Sequence, residues 1–301
     1  MVKPDTSGYF VMTESKDYHK WVKMAAQASI GVATVLVIIK SYAWFVSGAS
    51  AMLASTTDSL LDLFASVVNF IILRFALMPA DNEHRFGHGK AESLAGLGQS
   101  TFIAGSAILL MYYGIEQAVN PTPIASSPVA VVITLLSIVL TLMLVCFQKW
   151  VIRRTQSVLV GADALHYQSD LLLNAGVLVA LILSEHVWLA SDGVFTFCVG
   201  IYLLCGAFSI GGSSVNHLMD RELPDEELEQ IQQVIEANAD VMGFHSLKTR
   251  QAGPQRFIQL HLELSGDMTL HQTHKIADDI EQTLSLKFAP CEVIIHQDPS
   301  S

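Results

Sequence analysis

Apolar residues dominate six stretches of the chain, near residues 24–46, 51–77, 93–115, 123–148, 158–184 and 193–214. Each could cross a hydrocarbon core as a helix of about 20 residues. From about residue 214 the pattern changes. Pro224 followed by DEELEQIQQVIEAN predicts a helix with proline in its first turn and acids at the positive end of its dipole. FHSLKTRQAG and QRFIQLHLELSG predict two strands joined at Gly253 and Pro254. The second strand alternates Ile258, Leu260, Leu262 and Leu264 with Gln259, His261 and Glu263. A helix in TLHQTHKIADDIEQTLSLKF and a strand in CEVIIHQD complete an αββαβ order, and Pro299 to Ser301 reads as a frayed end.

Composition agrees with a membrane protein, since 51% hydrophobic and 15% charged residues exclude an ordinary soluble enzyme of this size. Lys and Arg sort to one side. Lys3, Lys16, Lys20 and Lys23 precede the first stretch, Arg85 and Lys90 follow the second, and Arg153 and Arg154 follow the fourth. The loops near residues 47–50, 119–127 and 185–192 contain none, which by the positive-inside rule predicts that both termini are cytoplasmic. Lys40, late in the first stretch, is the exception and is expected to snorkel to the outer interface. Residues 1–23 lack the apolar run and small-residue cleavage site of a signal peptide. The predicted fold is membrane α-helical, with six transmembrane helices plus a cytosolic α+β domain of αββαβ type. Its divisions are a cytosolic segment 1–23, a membrane domain 24–213 and a cytosolic domain 214–301. The last division holds fifteen Asp and Glu against six Lys and Arg, so most of the net charge of −11 sits there. Cys146, Cys198, Cys205 and Cys291 show no C-x-x-C spacing and read as small apolar residues.

The chemistry lies where charge interrupts the apolar stretches. Asp58 and Asp62 in the second, and His166 and Asp170 in the fifth, are each spaced i,i+4, so each pair shares a helix face. A charge at the bilayer centre costs at least about 2.5 to 3.5 kcal/mol, so three carboxylates and an imidazole need a shared partner. A divalent cation is the simplest. Three oxygens and one nitrogen suit a nearly tetrahedral ion and leave no open position for a catalytic water. Without a thiolate the ion is released more readily than from a Cys-rich structural site. Protons compete with metal for the same atoms, which is the chemical basis of antiport. An intramembrane metalloprotease is disfavoured because HExxH is absent. A passive channel or a membrane-tethered metal sensor stays open beside a transporter. One imidazole among carboxylates suits Zn²⁺, Fe²⁺ or Cd²⁺.

Other polar residues have two readings each. Asp81, His84 and His88, with Asn82 and Glu83 beside them, are either a solvated loop or a second metal site. His245, His261, His296 and Asp298 are either scattered surface groups or a tail site, His296 and Asp298 sharing a face by the two-residue period. Asp163, one turn before His166, is either a helix-start acid or a cation funnel.

DSLLD in the second stretch, HYQSD in the fifth, the segment PADNEHRFGHGKAES and the terminal HQDP together resemble the cation diffusion facilitator family, in its bacterial ferrous-iron and zinc efflux branch of the FieF type. The resemblance covers essentially the whole chain. It implies a homodimeric divalent-cation/proton antiporter of the bacterial inner membrane, with Zn²⁺ as both substrate and regulatory ion and Fe²⁺ or Cd²⁺ as alternatives. No nucleic-acid partner is implied. Matched residue by residue, Asp58, Asp62, His166 and Asp170 fall on the transport site, Asp81, His84 and His88 on a loop site, and His245, His261, His296 and Asp298 on a binuclear cytosolic site with His274 and Gln297 at its margin. The resemblance further implies a charge interlock between Lys90 and Asp220 near the dimer interface; His271 is assigned no role.

Overall fold

A computed structural model describes residues 7–47, 50–120, 128–183 and 191–300. Most of the loop residues expected on the outer side, 48–49, 121–127 and 184–190, lie outside them. Six long helices come first: α1 (Ser7–Ser47), α2 (Ser50–Ala76), α3 (Lys90–Val119), α4 (Pro128–Thr155), α5 (Val158–Leu183) and α6 (Ser191–Leu218). Helices are the natural spanning element because every backbone group is satisfied within the segment. Among the described residues, α1, α2, α3, α4 and α6 are long and apolar enough to cross a membrane. Residues 7–23, read from sequence as a separate segment, continue the helix of α1.

α1 turns one stripe inward: Ala25, Ser29, Ala33, Leu36, Lys40 and Ala43, at steps of three and four, are all buried, while Ile38 and Tyr42 face outward. Lys40 is only 8% exposed, so the snorkelling expectation is corrected. The residue falls on the packed stripe of α1 and not on the face that carries Ile38 and Tyr42. α3 and α6 pack through Ile103, Ala107, Val199, Leu203 and Ala207, with Leu165 of α5. They approach so closely that a Cβ on Gly114 would meet the Gly193 carbonyl, and one on Gly193 the Gly114 carbonyl.

A second compact unit takes in residues up to Lys20, the α2–α3 connection Pro79–Lys90, and Asn216–Ser301. After Pro224, which is the N-cap, come α7 (Asp225–Glu236), β1 (Gly243–Ala252), β2 (Gln255–Ser265), α8 (Leu270–Lys287) and β3 (Cys291–Ser300). At the start of α8 Gln272 Oε1 accepts the backbone N–H of Thr269 at 2.9 Å. Gly253 turns the β1–β2 hairpin at φ +59°, a left-handed conformation that favours glycine. The sheet order is β1-β2-β3, with β1 antiparallel to β2 and β3 parallel to it after the α8 crossover. One face buries Ile258, Leu260, Leu262 and Leu264 against Ile231 and Ile235 of α7 and Ile276, Ile280 and Leu284 of α8. The frayed-end expectation is corrected for Pro299 and Ser300, Ser301 lying outside the described residues. Pro299 and Ser300 pair with Leu264 and Ser265, because β2 extends far enough to partner them.

Candidate metal centres

The membrane site is built where α2 meets α5. His166 Nε2 lies 2.9 Å from Asp62 Oδ1 and 3.9 Å from Asp170 Oδ2. One ligand atom from each of these three residues lies within 4.8 Å of the others, a spacing that a single ion can span. Asp58, one turn from Asp62 on α2, is outside that triangle but interacts electrostatically with Asp62, His166 and Lys40. Of the four residues expected to converge, three do so here.

What holds α5 in register is a polar knot that the motifs do not reveal. Asp163, 6% exposed, accepts hydrogen bonds from Ser29 Oγ of α1 (2.6 Å), Gln148 Nε2 of α4 (2.7 Å) and Asn69 Nδ2 of α2 (3.2 Å). Asn69 also reaches Gln99 of α3 at 3.0 Å. One turn on, the Tyr167 hydroxyl pairs with Ser66 Oγ at 2.8 Å and donates to the Ser29 carbonyl at 3.4 Å. The same carboxylate lines a cavity of about 10 Å³, room for about one water, and is already committed to three donors. The structure therefore favours a structural role for Asp163 over a funnel. Ser29, Asn69, Gln99 and Gln148 carried a signal: each is a polar group in an apolar helix that needs a partner.

In the α2–α3 connection, His84 Nδ1 and His88 Nε2 lie 3.4 and 3.5 Å from the two oxygens of Asp81, and one ligand atom from each of the three lies within 4.8 Å of the others. Asp81 Oδ1 accepts the backbone N–H groups of His84 (2.6 Å) and Glu83 (2.8 Å), and these bonds, His84's first, hold its carboxyl below the usual range. Glu83 is not in this set. The connection is fixed on the sheet by Phe86, edge-on to Phe257 at 5.7 Å, with the Arg250 guanidinium over both rings. Behind it, a Cβ on Gly89 would strike the Ala252 carbonyl. Lys90 Nζ lies 2.9 Å from Asp220 Oδ1, which Arg250 also reaches at 3.3 Å. Burial works to raise the Asp220 carboxyl, but the bonds from Lys90 and Arg250 outweigh it and leave it below its ordinary value.

The tail site follows from strand register. His245 pairs with His261, and His261 with His296, so three imidazoles line up across the open face of the sheet. Their rings are 4.9 and 4.7 Å apart in succession. Asp298 serves all three: Oδ2 is 2.8 Å from His261 Nδ1 and 3.2 Å from His245 Nε2, and Oδ1 is 3.3 Å from His296 Nε2. The hydrogen bond with His261 is the main reason its carboxyl sits below the usual range. Glu263, which pairs with Asp298 and lies 3.9 Å from His245, joins the row and was missed from sequence, although it is one period of two from His261. Gln297 pairs with the core residue Leu262 and so faces away from the row. His274 sits on α8, whose Ile276 and Ile280 pack on the other face of the sheet, and its nearest acid is Asp278 at 3.6 Å.

Family models for the cation efflux transmembrane domain and the cation efflux cytoplasmic domain match residues 26–219 and 223–300. The chain belongs to the cation efflux, or cation diffusion facilitator, family. It is 48% identical to the cation-efflux pump FieF of Shewanella oneidensis over 96% of this chain and 97% of that one. With the FieF of Escherichia coli O1:K1 the identity is 46%, over 95% and 96%. A solved metal-bound C-terminal domain of the CzcD transporter from Thermotoga maritima is similar at 26% identity and a TM-score of 0.24, over 26% of this chain and 94% of that one. In this family the helical domain moves cations, and the two-layer αββαβ tail is its cytoplasmic companion.

Proposed function

We propose that this chain is a homodimeric divalent metal cation/proton antiporter that exports Zn²⁺ from the cytoplasm, with Fe²⁺ or Cd²⁺ as further substrates, across a bacterial inner membrane with both termini inside. The observation that carries this reading is the convergence of Asp62, His166 and Asp170 between two spanning helices. The substrate ion binds these three, and Asp58, one turn away, supplies a fourth ligand. Two carboxylates poised around an imidazole exchange protons for metal at the same atoms, so each binding event displaces the other. Alternating access then carries metal one way and protons the other. Relatives named cation-efflux pumps support the outward direction.

The tail supplies regulation. Its net negative charge opposes the approach of two copies, and ions held by His245, His261, His296, Asp298 and Glu263 offset that repulsion. Asp81, His84 and His88 form a further site on the connection that Phe86 and Gly89 fasten to the same sheet, so metal at either place acts on one body.

Proteoliposomes with an imposed pH gradient test the reading. Wild type should accumulate Zn²⁺ against its concentration gradient, and Asp62→Ala should abolish this while leaving the dimer intact. Dissipative flux that ignores the proton gradient would indicate a channel, and absence of flux a sensor.

A further inference from the structure

We propose that Lys40 is a built-in counter-charge of the membrane site, a tethered cation that offsets one of its carboxylates and sets how firmly a divalent ion is held. The inference rests on reading Asp58, Asp62, His166 and Asp170 as the transport site. Lys40 is the only Lys or Arg among the described residues that is buried, and it lies on the inward stripe of α1.

Its height along the bundle follows from register. Ser29 of the same stripe bonds Asp163, which ties α1 to α5 at a known level. From Ser29 to Lys40 is eleven residues, about 16 Å of helix, and from Asp163 to Asp170 is seven, about 10 Å. As odd-numbered spans, α1 and α5 run in the same direction, so the Lys40 backbone lies roughly 6 Å beyond the level of Asp170. Helical side chains lean toward the N-terminus of their helix, which sends the four methylenes of Lys40 back toward the site. Its charge acts on both Asp58 and Asp170.

The charge balance gives the role. Three ionised carboxylates around a neutral imidazole carry three negative charges, and a divalent ion leaves one of them uncompensated in a medium that penalises net charge. Lys40 supplies the missing positive charge, so the loaded site is neutral. Being covalently attached, it cannot leave with the ion. It also lowers the attraction that the site exerts on the ion, and so favours release over retention.

The test is initial-rate zinc flux in proteoliposomes of the full chain, comparing wild type, Lys40→Met, Lys40→Gln and Lys40→Arg. Loss of the charge should lower KM about tenfold, equivalent to about 1.4 kcal/mol, and lower kcat because release becomes slower. Lys40→Arg should keep both within about twofold. The proposal is overturned if the Met and Gln variants match wild type in KM and kcat, or if neither yields a folded dimer while Arg does, since that marks a structural lysine. A wild type that carries no zinc overturns the transport reading itself, and the inference with it.

Discussion

Asp163→Ala should destabilise the helical bundle rather than merely weaken cation entry. The substitution removes the acceptor of three donors, Ser29 Oγ, Gln148 Nε2 and Asn69 Nδ2, at 2.6, 2.7 and 3.2 Å. Hydrogen bonds to a charged group contribute about 1.5 to 3 kcal/mol each, so the gross loss is roughly 6 kcal/mol. Removing a carboxylate that is 6% exposed also removes its desolvation cost, which offsets part of this. A net loss of about 3 kcal/mol remains, consistent with the 3 to 5 kcal/mol typical of breaking one side of a buried charged contact. That is a large share of a stability of about 5 to 15 kcal/mol. It should lower the unfolding midpoint of the purified chain in detergent by roughly 6 to 12 °C, measured as the folded fraction surviving heating on size exclusion. Asp163→Asn, which keeps the shape and one acceptor oxygen, should fall between. A midpoint within about 2 °C of wild type, together with a raised KM for zinc, would refute the structural reading and restore the funnel.

His166→Asp should move metal preference toward harder ions such as Mn²⁺, because it replaces the only nitrogen ligand with oxygen; flux across a panel of metals checks this. Asp220 is held below its ordinary pKa by Lys90 and Arg250, so its contribution to stability is complete above the ordinary carboxylate value and is lost as pH falls through the lower, folded one. Hydrogen exchange of residues 79–90 should therefore accelerate at the acid end in wild type, and Asp220→Asn should show fast exchange at neutral pH with a flattened acid dependence. Labels on the two tails should draw together on zinc addition in wild type, and a His261→Ala, His296→Ala double variant should lose that response.

Elements whose period is repeated were legible in the sequence: six apolar helices, and β2 with Ile258, Leu260, Leu262 and Leu264 turned inward. The i,i+4 spacing on α2 and α5 put carboxylates and imidazole on single faces, and the fold joins three of them. What stayed hidden depends on register between elements. Nothing in the spacing says that Ser29, Asn69 and Gln148 converge on Asp163, because each comes from a different helix. Lys40 was misread because its distance along the helix was counted while the face it occupies was not. Glu263 was visible on the polar face of β2, but only the pairing with Asp298 brings it to the histidines.

The seating of Phe86 and Gly89 on the β1–β2 hairpin bears on how this protein can be dissected. A truncation that ends after α6 removes not only the tail but the surface on which the α2–α3 connection is folded. Lost activity in such a fragment is then no measure of what the tail ions contribute. Chimaeras face the same constraint in reverse. A tail borrowed from a relative brings its own counterparts of Phe257, Arg250 and Gly253, so an exchange that keeps this seating is discontinuous and carries residues 79–90 together with 216–301.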